Sequence, residues 1–180
     1  MYLVSLYFDE KTKNRIRGYI QNTAEKSGNR YMVEHNVPPH ITISAFEACN
    51  ETLIVDAMNK LLENETCGML QWIGIGTFKN TTLFIQPVLN EYLHNLSSCI
   101  YECITKISDV KVSKCYKPFS WLPHTTIAKL LTEEEMQRAF DVLSKSFGIF
   151  EGEIVRIELA KKNPYRVIAS WELKREIGYE

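Results

Sequence analysis

The sequence predicts an α+β fold: two antiparallel sheets with flanking helices, built as two half-repeats related by an approximate two-fold within one domain. Three observations carry this. The strand-like segments alternate apolar and polar residues instead of running continuously apolar as buried parallel strands do. Amphipathic helical stretches separate them. The order strand–helix–strand–helix–strand occurs twice, roughly over residues 1–78 and again over 79–180, with no Pro/Gly/Ser-rich linker between.

Residues 2–8 open the first half. Val4, Leu6 and Phe8 fall on one face and Leu3, Ser5 and Tyr7 on the other, as in a half-buried strand. Residues 10–27 are mostly polar but repeat Ile16, Ile20 and Ala24 four apart, which predicts an amphipathic helix stopped by Gly28. Residues 38–46 form the next strand. Asn50 caps a helix over 51–63 with an apolar stripe of Leu53, Ile54, Ala57, Met58, Leu61 and Leu62. Residues 69–78 are a strand in which Gly74 and Gly76 mark a bend or a close backbone approach. The second half opens with a strand over 81–88. Asn90 then caps a helix over 91–107, with Leu93, Leu96, Ile100 and Ile107 inward. A strand over 123–130 follows. Thr132 and Glu135 make a capping box for a helix that turns Met136, Ala139, Phe140 and Leu143 inward. Two alternating strands close the chain: Val155, Ile157 and Leu159 share a face in 153–159, and Tyr165, Val167, Ala169, Trp171 and Leu173 share one in 165–173.

The composition excludes several classes. With 45% hydrophobic and 24% charged residues, the chain can bury a core and is not disordered. A net charge of −1 argues against a protein that wraps duplex DNA, whereas a nucleotide or an RNA end needs only a local basic patch. The five cysteines are odd in number and form no C-x-x-C pair, so buried free thiols are expected instead of disulfides or a zinc site. Cys99 and Cys103 share the helix face of Leu96 and Ile100. The first residues lack a basic region before an apolar stretch and read as a strand, not a signal peptide. No apolar run is long enough to span a membrane. The expectation is a cytoplasmic monomer, and the N-x-S/T patterns at Asn50, Asn64, Asn80 and Asn95 then carry no meaning.

Both halves contain one motif at equivalent points: Pro39-His40-Ile41-Thr42-Ile43 and Pro123-His124-Thr125-Thr126-Ile127. Strand side chains alternate, so His40 and Thr42 share one face, as do His124 and Thr126, while Ile41, Ile43 and Ile127 point to a core. Each proline sits at a strand start, where its missing N–H does least harm. If the halves face each other, one cleft receives two imidazoles and two hydroxyls. That set suits a phosphodiester. A neutral histidine can take a proton from the attacking oxygen, and a protonated one can give a proton to the leaving oxygen. The hydroxyls of Thr42 and Thr126 can donate to the non-bridging phosphate oxygens. No carboxylate cluster accompanies the motifs, so the chemistry does not require a metal. Such a pair predicts a bell-shaped rate profile with its maximum at roughly pH 6–8.

The paired motifs resemble the signature of the two-histidine phosphoesterase superfamily, and within it the 2′-5′ RNA ligase-like and cyclic phosphodiesterase branch. That signature is two copies of His, a hydrophobic residue, Thr or Ser, and a second hydrophobic residue. Here Thr125 fills a slot that is usually hydrophobic. The resemblance extends over nearly the whole chain, including a closing hairpin from Ile157 through Pro164-Tyr165 to Leu173. It implies a bilobal fold and cofactor-free action on 2′,3′-cyclic phosphates or 2′-5′ phosphodiesters of nucleotides or RNA ends, with His124 as base and His40 as acid. Family members often carry a basic residue after the second motif, where Lys129 stands. Strict alternation, however, places Lys129 opposite His124 and makes it a surface lysine unless the strand bulges.

Further candidates are less specific. Tyr7, Phe46, Tyr116, Trp121 and Tyr165 can stack on a base, Tyr165 being the candidate for substrate binding, although packing explains aromatic residues as well. Lys111, Lys114 and Lys117 interleave with Tyr116 and Phe119 in a basic-aromatic loop ahead of the second motif. His35 and His94 read as solvated. A non-catalytic nucleotide- or RNA-binding module with the same cleft is the competing reading, and turnover separates it from an enzyme. A zinc hydrolase lacks the required ligand spacing.

Overall fold

The computed structural model describes residues 1–118 and 120–175. In chain order the elements are β1 (Tyr2–Phe8), α1 (Glu10–Ser27), α2 (Tyr31–Glu34), β2 (Ile41–Glu47), α3 (Glu51–Leu62), β3 (Gly68–Phe78), β4 (Thr82–Pro87), α4 (Glu91–Thr105), β5 (Lys111–Val112), β6 (Thr125–Lys129), α5 (Glu133–Ser146), β7 (Phe150–Lys161) and β8 (Arg166–Glu172). A single 3₁₀ turn covers Lys114–Tyr116. Local chemistry sets most of the element ends. The side chains of Asn50 and Asn90 accept from the N–H groups of Leu53 and Leu93, and Thr132 and Glu135 form the reciprocal capping box. Gly28 ends α1 at φ 87°, a left-handed conformation that favours glycine.

All strands pair antiparallel in one hydrogen-bonded sheet of order β5-β2-β1-β7-β3-β4-β6, with β8 also on β7. The two half-sheets expected from the sequence are therefore continuous. The reason is β7: one edge pairs with β1 along most of its length, and the other pairs with β3 over Phe150–Ile154 and with β8 beyond. The helices interleave the halves. α1 packs on α5 and β6, whereas α4 packs on α3 and β2. Ile16, Ile54, Met58, Leu93, Ile100, Ala139 and Leu143 from these helices meet Leu6, Ile41, Ile85 and Ile157 of the sheet in one core.

Several side chains depart from the expected faces. Phe140 of α5 and Leu53 of α3 are exposed, because the inner stripes narrow to Met136, Ala139 and Leu143 and to Ile54, Met58 and Leu62. A bulge at Val155 brings Ile154 inward in its place, and one at Ile168 leaves Val167 exposed. All five cysteines are free, but Cys49, Cys99 and Cys115 are exposed: in α4 the buried stripe runs through Leu93, Leu96, Ile100 and Ile104, and Cys99 flanks it. Among the described residues no helix is long and apolar enough to cross a membrane.

Candidate active site

Strand pairing begins one residue after each motif histidine, at Ile41 and at Thr125. The preceding prolines supply no N–H for a ladder, so each imidazole sits at the mouth of its strand. Both rings are held in the same way. His40 Nδ1 lies 2.7 Å from the Pro38 carbonyl oxygen, and His124 Nδ1 lies 2.9 Å from that of Leu122. A carbonyl only accepts, so Nδ1 carries the proton in both rings and Nε2 is left for other chemistry. In the neutral ring that Nε2 is a base; in the imidazolium it is an acid.

Beyond the histidines the two strands share a second device. In β2, Val4 and Ser5 of β1 pair with Ser44 and Thr42, leaving Ile43 as an extra residue. In β6, Leu83 and Phe84 of β4 pair with Ala128 and Thr126, leaving Ile127 extra. Both motifs thus bulge at the isoleucine after the threonine, which changes the parity downstream. This corrects the strict alternation that placed Lys129 opposite His124: Ala128 is buried, Lys129 is half-buried, and its charge acts on His40. The Lys129 ammonium lies 5.1 Å from the centre of the Tyr31 ring in α2. At the position in β2 matching Lys129 stands buried Ala45, so the site is symmetric in its imidazoles and hydroxyls but not in its cation.

The sheet order puts β2 and β6 five steps apart, which in a flat sheet is roughly 24 Å at about 4.8 Å per step. Instead the arms face each other. His40 feels the charges of His124 and Lys129, and the Trp121 indole N–H, just ahead of β6, donates to the Thr42 carbonyl of β2 at 3.1 Å. On the first arm Ser5 opposes both Thr42 and Glu158, which puts these three on the cleft face. Tyr7, two residues on, has its ring 6.0 Å from that of His40 and bonds to Glu158 and Tyr165. Arg156 lies over the Tyr7 ring and pairs with Glu158 at 3.2 Å. On the second arm Phe78 and Phe84 wall His124, with ring centres 4.7 and 5.3 Å away. Gly76 makes room for this wall: a Cβ there would lie 2.5 Å from the Phe84 ring.

Burial is the main influence on both imidazoles and pushes both pKa values below the ordinary histidine range. For His40 the hydrogen bond to Pro38 opposes this, His124 and Lys129 add to it, and Glu158 opposes it. For His124 the bond to Leu122 opposes it. Burial, with the bonds to Tyr165 and Glu158, raises the Tyr7 phenol, which stays protonated.

The remaining candidates separate by exposure. Tyr165 is largely exposed and joins the cleft through Tyr7. Phe46 and Trp121 are buried in packing and offer no face to a base, and Tyr116 is half-buried against the core. His35 is exposed and stacks on Tyr31 at the end of α2, and His94 is half-buried in the first turn of α4. Lys111, Lys114 and Lys117 lie along β5 and the 3₁₀ turn; Phe119 of that loop lies outside the described residues. Thr125 is fully buried and its Oγ1 accepts from the Trp72 indole N–H at 3.3 Å. That bond explains a hydroxyl in a slot that is usually hydrophobic, since an unpartnered indole N–H in the core would be costly. Glu158, Arg156, Phe78 and Phe84 were not singled out from the sequence. Each follows strand alternation as an ordinary residue would, and only cross-strand register brings it to the histidines. Among the described residues no three His, Cys, Asp or Glu side chains are grouped to hold a metal ion.

Known proteins share the family and the fold. The family model for the 2′-5′ RNA ligase superfamily matches residues 10–165. Among solved structures, Escherichia coli LigT complexed with 3′-AMP aligns at a TM-score of 0.64 and 12% identity, over 96% of this chain and 97% of that one. TT0787 of Thermus thermophilus aligns at 0.61 and 14%, over 97% and 98%. A structure described as a phosphoesterase aligns at 0.61 and 13%, over 96% and 97%. No curated protein matches the chain.

Proposed function

The chain belongs to the 2′-5′ RNA ligase superfamily, and from that premise we propose that it is a metal-independent phosphodiesterase acting on 2′,3′-cyclic phosphate or 2′-5′ phosphodiester bonds of nucleotides or RNA ends. The observation that carries this reading is the pair of matched imidazoles, each with Nδ1 committed to the carbonyl two residues before it. One neutral Nε2 and one protonated Nε2–H supply both proton transfers of a phosphodiester displacement. His124 takes a proton from water as the water oxygen bonds to phosphorus. The bond from phosphorus to the departing ribose oxygen breaks, and His40 gives that oxygen its proton. Thr42 and Thr126 donate to the non-bridging oxygens, and Lys129 offsets their growing charge. A bound phosphate also offsets the effect of Lys129 on His40 and leaves Glu158 to favour the protonated ring. E. coli LigT was solved with 3′-AMP, so nucleotides lead the substrate panel.

The test is a panel of 2′,3′-cyclic mononucleotides, 2′-5′ oligonucleotides and cyclic-phosphate RNA ends, assayed in excess EDTA. Turnover of at least one class is expected, at a rate unchanged by the chelator. Loss of turnover in EDTA with rescue by a divalent ion, or binding without product, would overturn the reading.

The pKa shifts set the pH dependence. Burial lowers both imidazoles in the free enzyme, so each becomes protonated only below about pH 6.5. The kcat/KM profile, which reports the free enzyme, should therefore be bell-shaped with its maximum at the acid end of the pH 6–8 window or below it. A bound phosphodiester anion raises both pKa values, so the kcat maximum should lie at higher pH than the kcat/KM maximum. A rate rising steadily to about pH 10 would contradict the paired-histidine model.

A further inference from the structure

The chain ahead of the second motif is stitched to the first motif strand. β5 pairs Val112 with Phe46 and Lys111 with Glu47, at the far end of β2. The Ser113 N–H then donates to the Ala45 carbonyl at 2.8 Å. The 3₁₀ turn packs on β2, where Tyr116 is half-buried and its hydroxyl bonds to that of Thr42. Last comes the Trp121 indole, 8% exposed, whose N–H donates to the Thr42 carbonyl at 3.1 Å. From Glu47 back to Thr42 the segment follows the edge of β2 that no regular strand covers beyond Phe46. Three residues after Trp121 the chain reaches His124.

We propose that Trp121 is a positioning residue, which sets His124 against His40 by anchoring the approach to β6 on the backbone of β2. The inference rests on the reading of the two histidines as one centre. The tie does not belong to the repeat. Val37, which stands three residues before His40, has an aliphatic side chain, and its backbone N–H goes to Met32 within the same half. The approach to the first histidine is thus tied within its own half, whereas the approach to the second carries an additional bond across to β2. A phenylalanine would fill most of the volume of Trp121; only the indole adds a donor aimed at Thr42.

The test compares wild type, Trp121→Phe, His124→Ala and the double variant. Trp121→Phe should keep its fold and its melting temperature to within a few degrees. Its kcat should fall about tenfold with KM within about twofold, as expected for a displaced proton donor or acceptor. In the His124→Ala background the same change should cost little. Ring NMR titration of His40 gives a readout independent of turnover. Removing His124 should raise the His40 pKa, and by less in Trp121→Phe, because the looser arm holds His124 farther away; Lys129, Glu158 and the neutral Tyr7, which also face His40, stay constant through the cycle. If Trp121→Phe leaves a void and lowers stability, benzothienylalanine at this position keeps the indole shape without its N–H. An unchanged kcat and an unchanged His124 effect on His40 would overturn the proposal. A wild type that turns over no phosphodiester would instead overturn the functional reading, and the titration cycle would still decide the role of Trp121.

Discussion

His40→Ala and His124→Ala should each lower kcat by about 10²–10⁴-fold, the usual worth of general acid or base help. That loss corresponds to roughly 3–5 kcal/mol of transition-state stabilisation. Both rings lie at the mouths of their strands, and their bonds are to nearby carbonyls of the same segment, so either truncation should leave a folded protein. The double variant decides whether the histidines form one centre. Groups acting in one transition state are not additive, so His40→Ala with His124→Ala should lose far less than the product of the single losses. Steady-state kinetics on whichever cyclic phosphate or 2′-5′ diester the panel identifies provide the measurement. If either single variant kept near-wild-type turnover, the two motifs would not form one catalytic centre.

Thr42→Val and Thr126→Val should lower kcat/KM by roughly 1–3 kcal/mol each, because a β-branched shape remains and only the donor to a developing oxyanion is lost. Thr125→Val separates chemistry from folding. Thr125 lies on the opposite face and accepts from the buried Trp72 indole, so its replacement should leave kcat nearly unchanged. It should instead destabilise the fold by about 1–3 kcal/mol, the cost of an unsatisfied buried donor. Denaturant unfolding beside kinetics reads both outcomes. A Thr125→Val enzyme as slow as Thr126→Val would invert the assignment of faces. A Thr125→Val protein as stable as wild type would show that the Trp72 bond contributes nothing.

Element by element, the sequence alone determined whatever depends on neighbours in the chain. The caps at Asn50, Asn90 and Thr132, the left-handed stop at Gly28 and the matched motifs around His40 and His124 all act over a few residues, so they are legible without a fold. Gly76 was legible as a close approach, though not as the gap that admits Phe84. Tertiary structure decided whatever depends on register between distant strands. The Ile127 bulge is a mismatch between β4 and β6, and it alone turns Lys129 from the outer face toward His40. The hydroxyl of Thr125 has a purpose only once Trp72 lies against it, and Trp121 passes from a candidate stacking platform to a buried donor only once β2 lies beside it. Likewise β7 joins the two half-sheets because its edges happen to serve strands from both halves. Capping and alternation are set by local backbone geometry, whereas a bulge, a cross-strand partner or a buried indole bond is set by which segments the collapsed core brings together.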